Sequence, residues 1–368
     1  MIKLKTQNTG LLFLLILILA SFNYGQAQYI QLTPADKNLL DSLAEQHWKD
    51  TAAPGMAVGI VSNGKILYAQ GFGVKNMKTQ EPVTIQSVFH MASVSKTFVA
   101  TALAKLTSEG KLELDDLLID HLPYFKLKDE RYRQITIRHM LTHKSGIPDV
   151  NNYHWSKPKY HATAIEEYVK GLKNKKLDFA PGTQYAYSNT AFNILADVIS
   201  KVSGMPFEEY MKDNILLPAG MKNSTFYKPD VPEELTTSPH IKGVLGKQVS
   251  GIYPYSRIHA GSGTLNSNVE DMMKYAMTYL NKGSIDNTTI FDSTAYRLLT
   301  TPTDITWGRE IGLSWFITNN DIFDGRLDHS GGDRGYTCWL GILPQKSWSM
   351  VVLYNAGWRL PNSDALFE

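Results

Sequence analysis

The 368-residue sequence predicts an α+β fold: an antiparallel β-sheet built from both chain ends, flanked by helices, with a mostly helical lobe inserted between them. Three observations carry this. Strand-like runs joined by short turns stand near the start and again near the end of the chain. Segments with helical periodicity fill the middle. The composition, 43% hydrophobic and 20% charged, is that of a globular chain able to bury a core.

The elements follow in order. Lys3 and Lys5, the apolar run Leu11 to Ala20 and the small residues Gly25 and Ala27 read as a signal peptide over residues 1–27, cleaved after Ala27. The apolar run has 10 residues, too few to span a bilayer, which takes about 20. The expected location is periplasmic or secreted, with no membrane anchor after cleavage. Residues 28–368 then form one catalytic unit. Its sheet lobe covers about 28–85 and 300–368, and its helical lobe about 86–299.

Removing residues 1–27 takes away two lysines and no acid, so the formal charge falls from +2 to zero. A neutral chain has no electrostatic reason to bind nucleic acid or an anionic membrane. Cys338 is the single cysteine, so an internal disulfide is excluded. Its place in the apolar run Tyr336 to Leu340 reads as core.

Thr33 and Pro34 fit an N-cap and first turn, with Leu39, Leu40 and Leu43 on one helical side. Met56 to Val61 and Ile66 to Gly71 flank Ser62-Asn63-Gly64-Lys65. Asn-Gly between apolar runs predicts a hairpin. Residues 94–109 read as a helix through Phe98, Ala102 and Leu106, with Gly110 beyond its end. Thr190 to Val202 is a second helix, closed by Gly204. Val269 to Leu280 is a third, with Ser267 and Glu270 spaced as a capping box. Gly335 to Leu343 and Ser349 to Tyr354 form a closing hairpin around Pro344-Gln345-Lys346. Pro361 to Asp364 reads as a helix start with only Ala365 to Glu368 after it.

Three short motifs carry chemistry. Ser93-Val94-Ser95-Lys96 is an S-x-x-K element at the N-terminal end of the first central helix. Residues i and i+3 share a helical face, about 5–6 Å apart at Cβ, so the lysine amine can reach the serine oxygen. A helix N-terminus and burial both disfavour the ammonium form, leaving an amine able to take the serine proton. Ser62/Lys65, Ser108/Lys111 and Ser156/Lys159 share the spacing, but none of them opens a strongly periodic helix.

Tyr187-Ser188-Asn189 stands before the second helix. A tyrosine can relay a proton, and an asparagine can hold an amide through its donor and acceptor. His329-Ser330-Gly331, followed by Gly332, leads into the closing strand pair. Glycines at a strand edge let a ligand approach the backbone, whose N–H groups can donate to an oxyanion. Taken singly, each motif also has a structural reading: Ser93 or Asn189 as an N-cap, Tyr187 as core, His329 as a surface or capping histidine. His259-Ala260-Gly261 matches the third pattern too, but leads toward the third helix. His139 and His143 have zinc-protease spacing with Met140 where glutamate is required, so no metal site and no cofactor are expected.

The order Ser93-x-x-Lys96, Tyr187-Ser188-Asn189, His329-Ser330-Gly331 resembles the serine β-lactamase-related proteins. That family takes in class C β-lactamases, penicillin-binding proteins, D-alanyl-D-alanine carboxypeptidases, D-amino-acid peptidases and esterases. Pro54 to Val58, Leu141 to Gly146, Gly312 to Trp315 and Asn355 are similar to further family landmarks. The resemblance implies Ser93 as acylated nucleophile, with Lys96 and Tyr187 sharing proton transfer. It implies Asn189, His329, Ser330, Gly331 and Gly332 as substrate-binding residues. The N–H groups of Ser93 and Gly332 would form the oxyanion hole, and the fold would be β-lactamase/transpeptidase-like. His329 stands where many relatives carry lysine, a cation suited to a substrate carboxylate. The expected substrates are therefore D-amino-acid peptides, esters or related amides, including cell-wall fragments. The alternatives are a β-lactamase or a penicillin-binding protein without turnover. Arg334 is expected to restore positive charge near the site. The helix that usually covers the sheet at the C-terminus is expected to be absent.

Overall fold

In the computed structural model, residues 30–244, 246–306, 309–320 and 323–358 are described. The segment 1–27, read as a signal peptide, and the helix start expected at Pro361 lie outside the described residues.

Eight antiparallel strands form one sheet. In chain order they are β1 (Gly55–Ser62), β2 (Lys65–Gly73), β3 (Asp304–Thr306), β4 (Arg309–Ile311), β5 (Phe316–Thr318), β6 (Arg326–Asp333), β7 (Tyr336–Leu343) and β8 (Trp348–Tyr354). Their spatial order is β2-β1-β8-β7-β6-β5-β4-β3. The first strand therefore pairs with the last, Met56 opposite Tyr354 and Ser62 opposite Trp348, and the sheet draws on both ends of the chain. The Asn63-Gly64 turn works as its sequence predicts. Both residues have positive φ, 51° and 70°, the backbone a tight hairpin between twisted strands demands.

Every residue of β1 is buried. Alternation sends Met56, Val58 and Ile60 to one face, where Leu40 and Ala44 of helix α1 (Pro34–Thr51) cover them. Ala57 and Val61 face the other way, into the larger core with α2 (Ser95–Ser108), α3 (Asn189–Ser203) and α4 (Val269–Leu280). Helix α1 is capped by Thr33, whose side chain accepts from the Asp36 N–H.

Helix α2 runs through the middle of this core. From Ser95 to Leu106 only Lys105 is not buried, and Phe98 stacks on Tyr275 of α4 at 3.7 Å between centroids. A helix covered on all sides holds its N-terminal residues rigidly. Two sequence expectations need correction. The serine of the S-x-x-K element lies two residues before α2, in a 3-10 turn over Ala92–Val94 that runs directly into the helix. Helix α4 is capped by Asn268, which accepts from the Asp271 N–H. Ser267 is instead in a two-residue strand paired with Phe89, and its hydroxyl meets that of Ser224 at 2.8 Å. Pairing in that short ladder takes Ser267 out of the capping position.

Candidate active site

The 3-10 turn bearing Ser93 is wedged between the sheet and the helices. Ala92 has φ 42°, in the left-handed region that L-residues seldom adopt. The turn can sit this close to β6 because residue 331 is glycine. A Cβ there would lie 2.4 Å from the Met91 carbonyl oxygen and 2.7 Å from Cys338 Sγ. Gly331 of the third motif thus seats the first motif against the sheet.

Lys96, the second residue of α2, is fully buried. Its Nζ lies 3.0 Å from Ser93 Oγ and donates to the Ser262 carbonyl at 2.7 Å. Burial pulls its pKa from 10.5 down to about 7, against the attraction of Asp149 and Asp333. At neutral pH a large share of the amine is therefore unprotonated.

Lys96 Nζ lies 5.0 Å from the Tyr187 ring centroid, and Ser93 offsets part of the effect of burial on the phenol. Burial raises the phenol pKa well above its ordinary value, so Tyr187 keeps its proton at pH 7. Two neighbouring groups on one serine are thus driven apart: an amine near neutrality and a phenol that stays protonated.

His143 fixes Tyr187 in place. Its ring stacks on the tyrosine at 4.2 Å, and its Nδ1 accepts from the Ser188 backbone N–H at 3.1 Å. That bond puts the imidazole proton on Nε2, and burial holds the ring neutral, well below its ordinary pKa. Ser188 in turn caps α3 by accepting from the Ala191 N–H. Asn189, the first residue of α3, is gripped by Asp149. Its backbone N–H donates to one carboxylate oxygen at 2.7 Å and its side-chain amide to the other at 3.1 Å.

His329 lies on β6 with its side chain buried, Nδ1 donating to the Ser330 carbonyl at 2.7 Å. Burial and the nearby Lys96 press its pKa down to about 3. It is a neutral imidazole at any physiological pH, further from a lysine surrogate than its ordinary pKa implies. Ser330 and Gly332 are exposed along the same strand. Arg334 does not line the cavity beside Ser93. It is exposed, and its Nε donates to Ser250.

Ser93 opens into that cavity. Ala92 and Ser93 form one side, Gly332 and Asp333 of β6 another, and Asn189 a third. The sequence reading missed the rest of the wall. Tyr153 stacks on Trp155 at 4.8 Å, and the two form an aromatic wall. His259 supports this wall, 4.8 Å and 5.0 Å from the two rings, and is tied down by Asn193 and the Tyr153 carbonyl. Ser262 and Gly263 complete the lining. The only signal for the 259–263 segment was its small residues after a histidine, discounted because the segment leads toward α4. Asp149 and Asp333 carried no sequence signal. Among the described residues no cluster of His, Cys, Asp and Glu could hold a metal, and no helix is long and apolar enough to cross a membrane.

A serine on the turn leading into a buried helix, with a buried lysine and a tyrosine beside the strand of an antiparallel sheet, is the site of a β-lactamase-type fold. The chain belongs to the Beta-lactamase family, whose profile matches residues 40–364. It is 28% identical over 329 residues to penicillin-binding protein 4* of Bacillus subtilis, covering 82% of this chain and 67% of that protein. It is 25% identical over 357 residues to the D-alanyl-D-alanine-carboxypeptidase/endopeptidase AmpH of Escherichia coli, covering 94% and 90%. Among solved structures it resembles the octameric penicillin-binding protein homologue from Pyrococcus abyssi, with a TM-score of 0.75 and 29% identity over 90% of this chain and 77% of that one. Together these support a serine hydrolase of this superfamily.

Proposed function

We propose that the protein hydrolyses amides or esters through an acyl-enzyme on Ser93, with D-amino-acid peptides and small esters as its substrates. One observation carries the reading: Lys96 Nζ lies 3.0 Å from Ser93 Oγ, with the Tyr187 ring beside the amine, at the edge of an open cavity. Neutral Lys96 takes the Ser93 proton as Oγ bonds to the substrate carbonyl carbon. The N–H groups of Ser93 and Gly332 hold the oxyanion. The carbon–leaving-group bond breaks, and the proton passes from Lys96, by way of the Tyr187 hydroxyl, to the departing amine or alkoxide. Water then attacks the acyl carbon, gives its proton back along the same pair, and releases the acid and free Ser93.

Lys96 is the base in this scheme because its pKa lies near 7, whereas Tyr187 keeps its proton and can only relay one. The neutral His329 argues against efficient β-lactam hydrolysis, because it offers no cation to the carboxylate such drugs carry. The test is labelling by a fluorophosphonate probe. Wild type should be labelled and Ser93→Ala should not. Equal labelling of the variant removes Ser93 as nucleophile. A screen with D-Ala-D-Ala peptides, D-amino-acid amides, p-nitrophenyl esters and a chromogenic cephalosporin should show turnover of the first three classes and slow or no turnover of the last.

A further inference from the structure

The charge of the cavity narrows the substrate class within that hydrolase reading. Among the residues lining the cavity beside Ser93, Asp333 is the only one with a charged side chain. Its Oδ1 accepts from Trp155 Nε1 at 3.1 Å, which ties the carboxylate to the aromatic wall. Its Oδ2 lies 3.4 Å from Nε2 of His90, a fully buried ring whose nitrogens have no hydrogen-bond partner within the protein. Among the described residues neither Asp333 nor Asp149 forms an ion pair with lysine or arginine. The neighbouring Arg334 is turned to Ser250.

A carboxylate beside aromatic faces is a setting for a cation, which gains both a charge-assisted hydrogen bond and a cation–π contact. The same wall repels a substrate carboxylate. A C-terminal D-alanine presents such a carboxylate, and an N-terminal residue presents an ammonium two bonds from its carbonyl.

We propose that Asp333, braced by Trp155, selects substrates with a free ammonium group next to the scissile carbonyl, so that aminoacyl amides, esters and unblocked peptide N-termini are preferred. The inference rests on Ser93 as the reacting hydroxyl, with its cavity as the substrate site. Asp333 is then a specificity residue.

The test uses pairs that differ only in the amine. Wild type, Asp333→Asn and Asp333→Glu are assayed with D-alanine p-nitroanilide and its N-acetyl derivative. A charge-assisted contact is worth about tenfold to hundredfold in kcat/KM. Wild type should favour the free amine by that factor. Asp333→Asn should lose most of the preference, and Asp333→Glu should keep it. Because the asparagine amide oxygen can still accept from Trp155, the variant retains that brace, and a melting curve checks its fold. Equal or reversed preference in wild type, or a preference untouched by Asp333→Asn, overturns the proposal.

A binding arm keeps this result separate from the hydrolase reading. Saturation-transfer NMR on Ser93→Ala should show D-alaninamide binding more tightly than N-acetyl-D-alaninamide. If wild type takes the fluorophosphonate label but the amine is not favoured, the ammonium inference alone falls. If the label fails while D-alaninamide is still preferred, the inference stands as a statement about binding and the nucleophile assignment falls.

Discussion

Lys96 is the residue whose replacement separates chemistry from stability most sharply. Its buried amine has a pKa of about 7 in the fold against an ordinary 10.5. That gap corresponds to about 5 kcal/mol against burying the ammonium. At pH 7 the unfolded chain carries the ammonium and the folded chain is close to half neutral. Lys96 therefore costs the fold about 4 kcal/mol there. Lys96→Met fills similar space without a charge. It leaves the Ser262 carbonyl and Ser93 hydroxyl without their amine partner, which costs about 1–3 kcal/mol. The net expectation at pH 7 is a variant more stable than wild type by about 1–3 kcal/mol. Because the folded pKa lies below the unfolded one, the unfolded chain binds more protons between the two values. Wild-type stability therefore rises with pH across that window, from about 7 toward 10.5. The gap between variant and wild type should close by about 2 kcal/mol from pH 7 to pH 9. Urea unfolding of both proteins at the two pH values measures it. In parallel, wild-type Ser93 labelling should climb about tenfold per pH unit below 7 and level off above. The variant should lose about 10²–10⁴ of the rate. A stability difference that does not move with pH would refute the argument, because it would mean that the folded lysine keeps its proton.

Two further substitutions probe how the serine is held. Gly331→Ala places a methyl group against the Met91 carbonyl and Cys338, where backbone cannot yield cheaply. It should cost about 1–3 kcal/mol and slow Ser93 labelling, and an unchanged melting temperature with unchanged labelling contradicts the wedge. His143→Phe keeps a ring against Tyr187 but removes the acceptor of the Ser188 N–H. A loss of about 1–3 kcal/mol with slower labelling is expected, and wild-type behaviour in both assays would show that Tyr187 needs no such support.

The parts of the fold that were legible in sequence are those fixed by local physics. Asn63-Gly64 needs two left-handed residues, and the hairpin followed from that alone. Helices α2, α3 and α4 were visible because their apolar faces recur at helical spacing. The ordered Ser93, Tyr187 and His329 motifs pointed at one site, and the fold brings the three segments together. What sequence could not show depends on three-dimensional neighbours. Tyr153 and Trp155 sit in an irregular segment and gain meaning only from His259, more than a hundred residues later. Asp333 stood in no motif and carried no signal. Ser267 matched a capping box, yet its pairing with Phe89, in a ladder formed by a distant segment, handed the cap to Asn268.

Strain and unpartnered atoms occur around Ser93. Ala92 holds a left-handed φ of 42°, and Lys96 is buried as an amine. Nε2 of both His143 and His329 has no hydrogen-bond partner within the protein. Glycine at position 92 would relieve the backbone strain, yet the chain has alanine there. The reason is packing. The Ala92 methyl group lies against Gly331, filling the space the glycine leaves, so the two residues interlock the serine turn with β6. A glycine pair would leave that turn free to move, and the Ser93 hydroxyl would lose its fixed distance from Lys96. Strain at Ala92 is thus the cost of rigidity at Ser93, carried by a sheet covered on both faces. The same logic explains why His329 is tolerated. A neutral imidazole can be buried beside Lys96, whereas a second ammonium at that position would press the Lys96 pKa lower still and face the same desolvation.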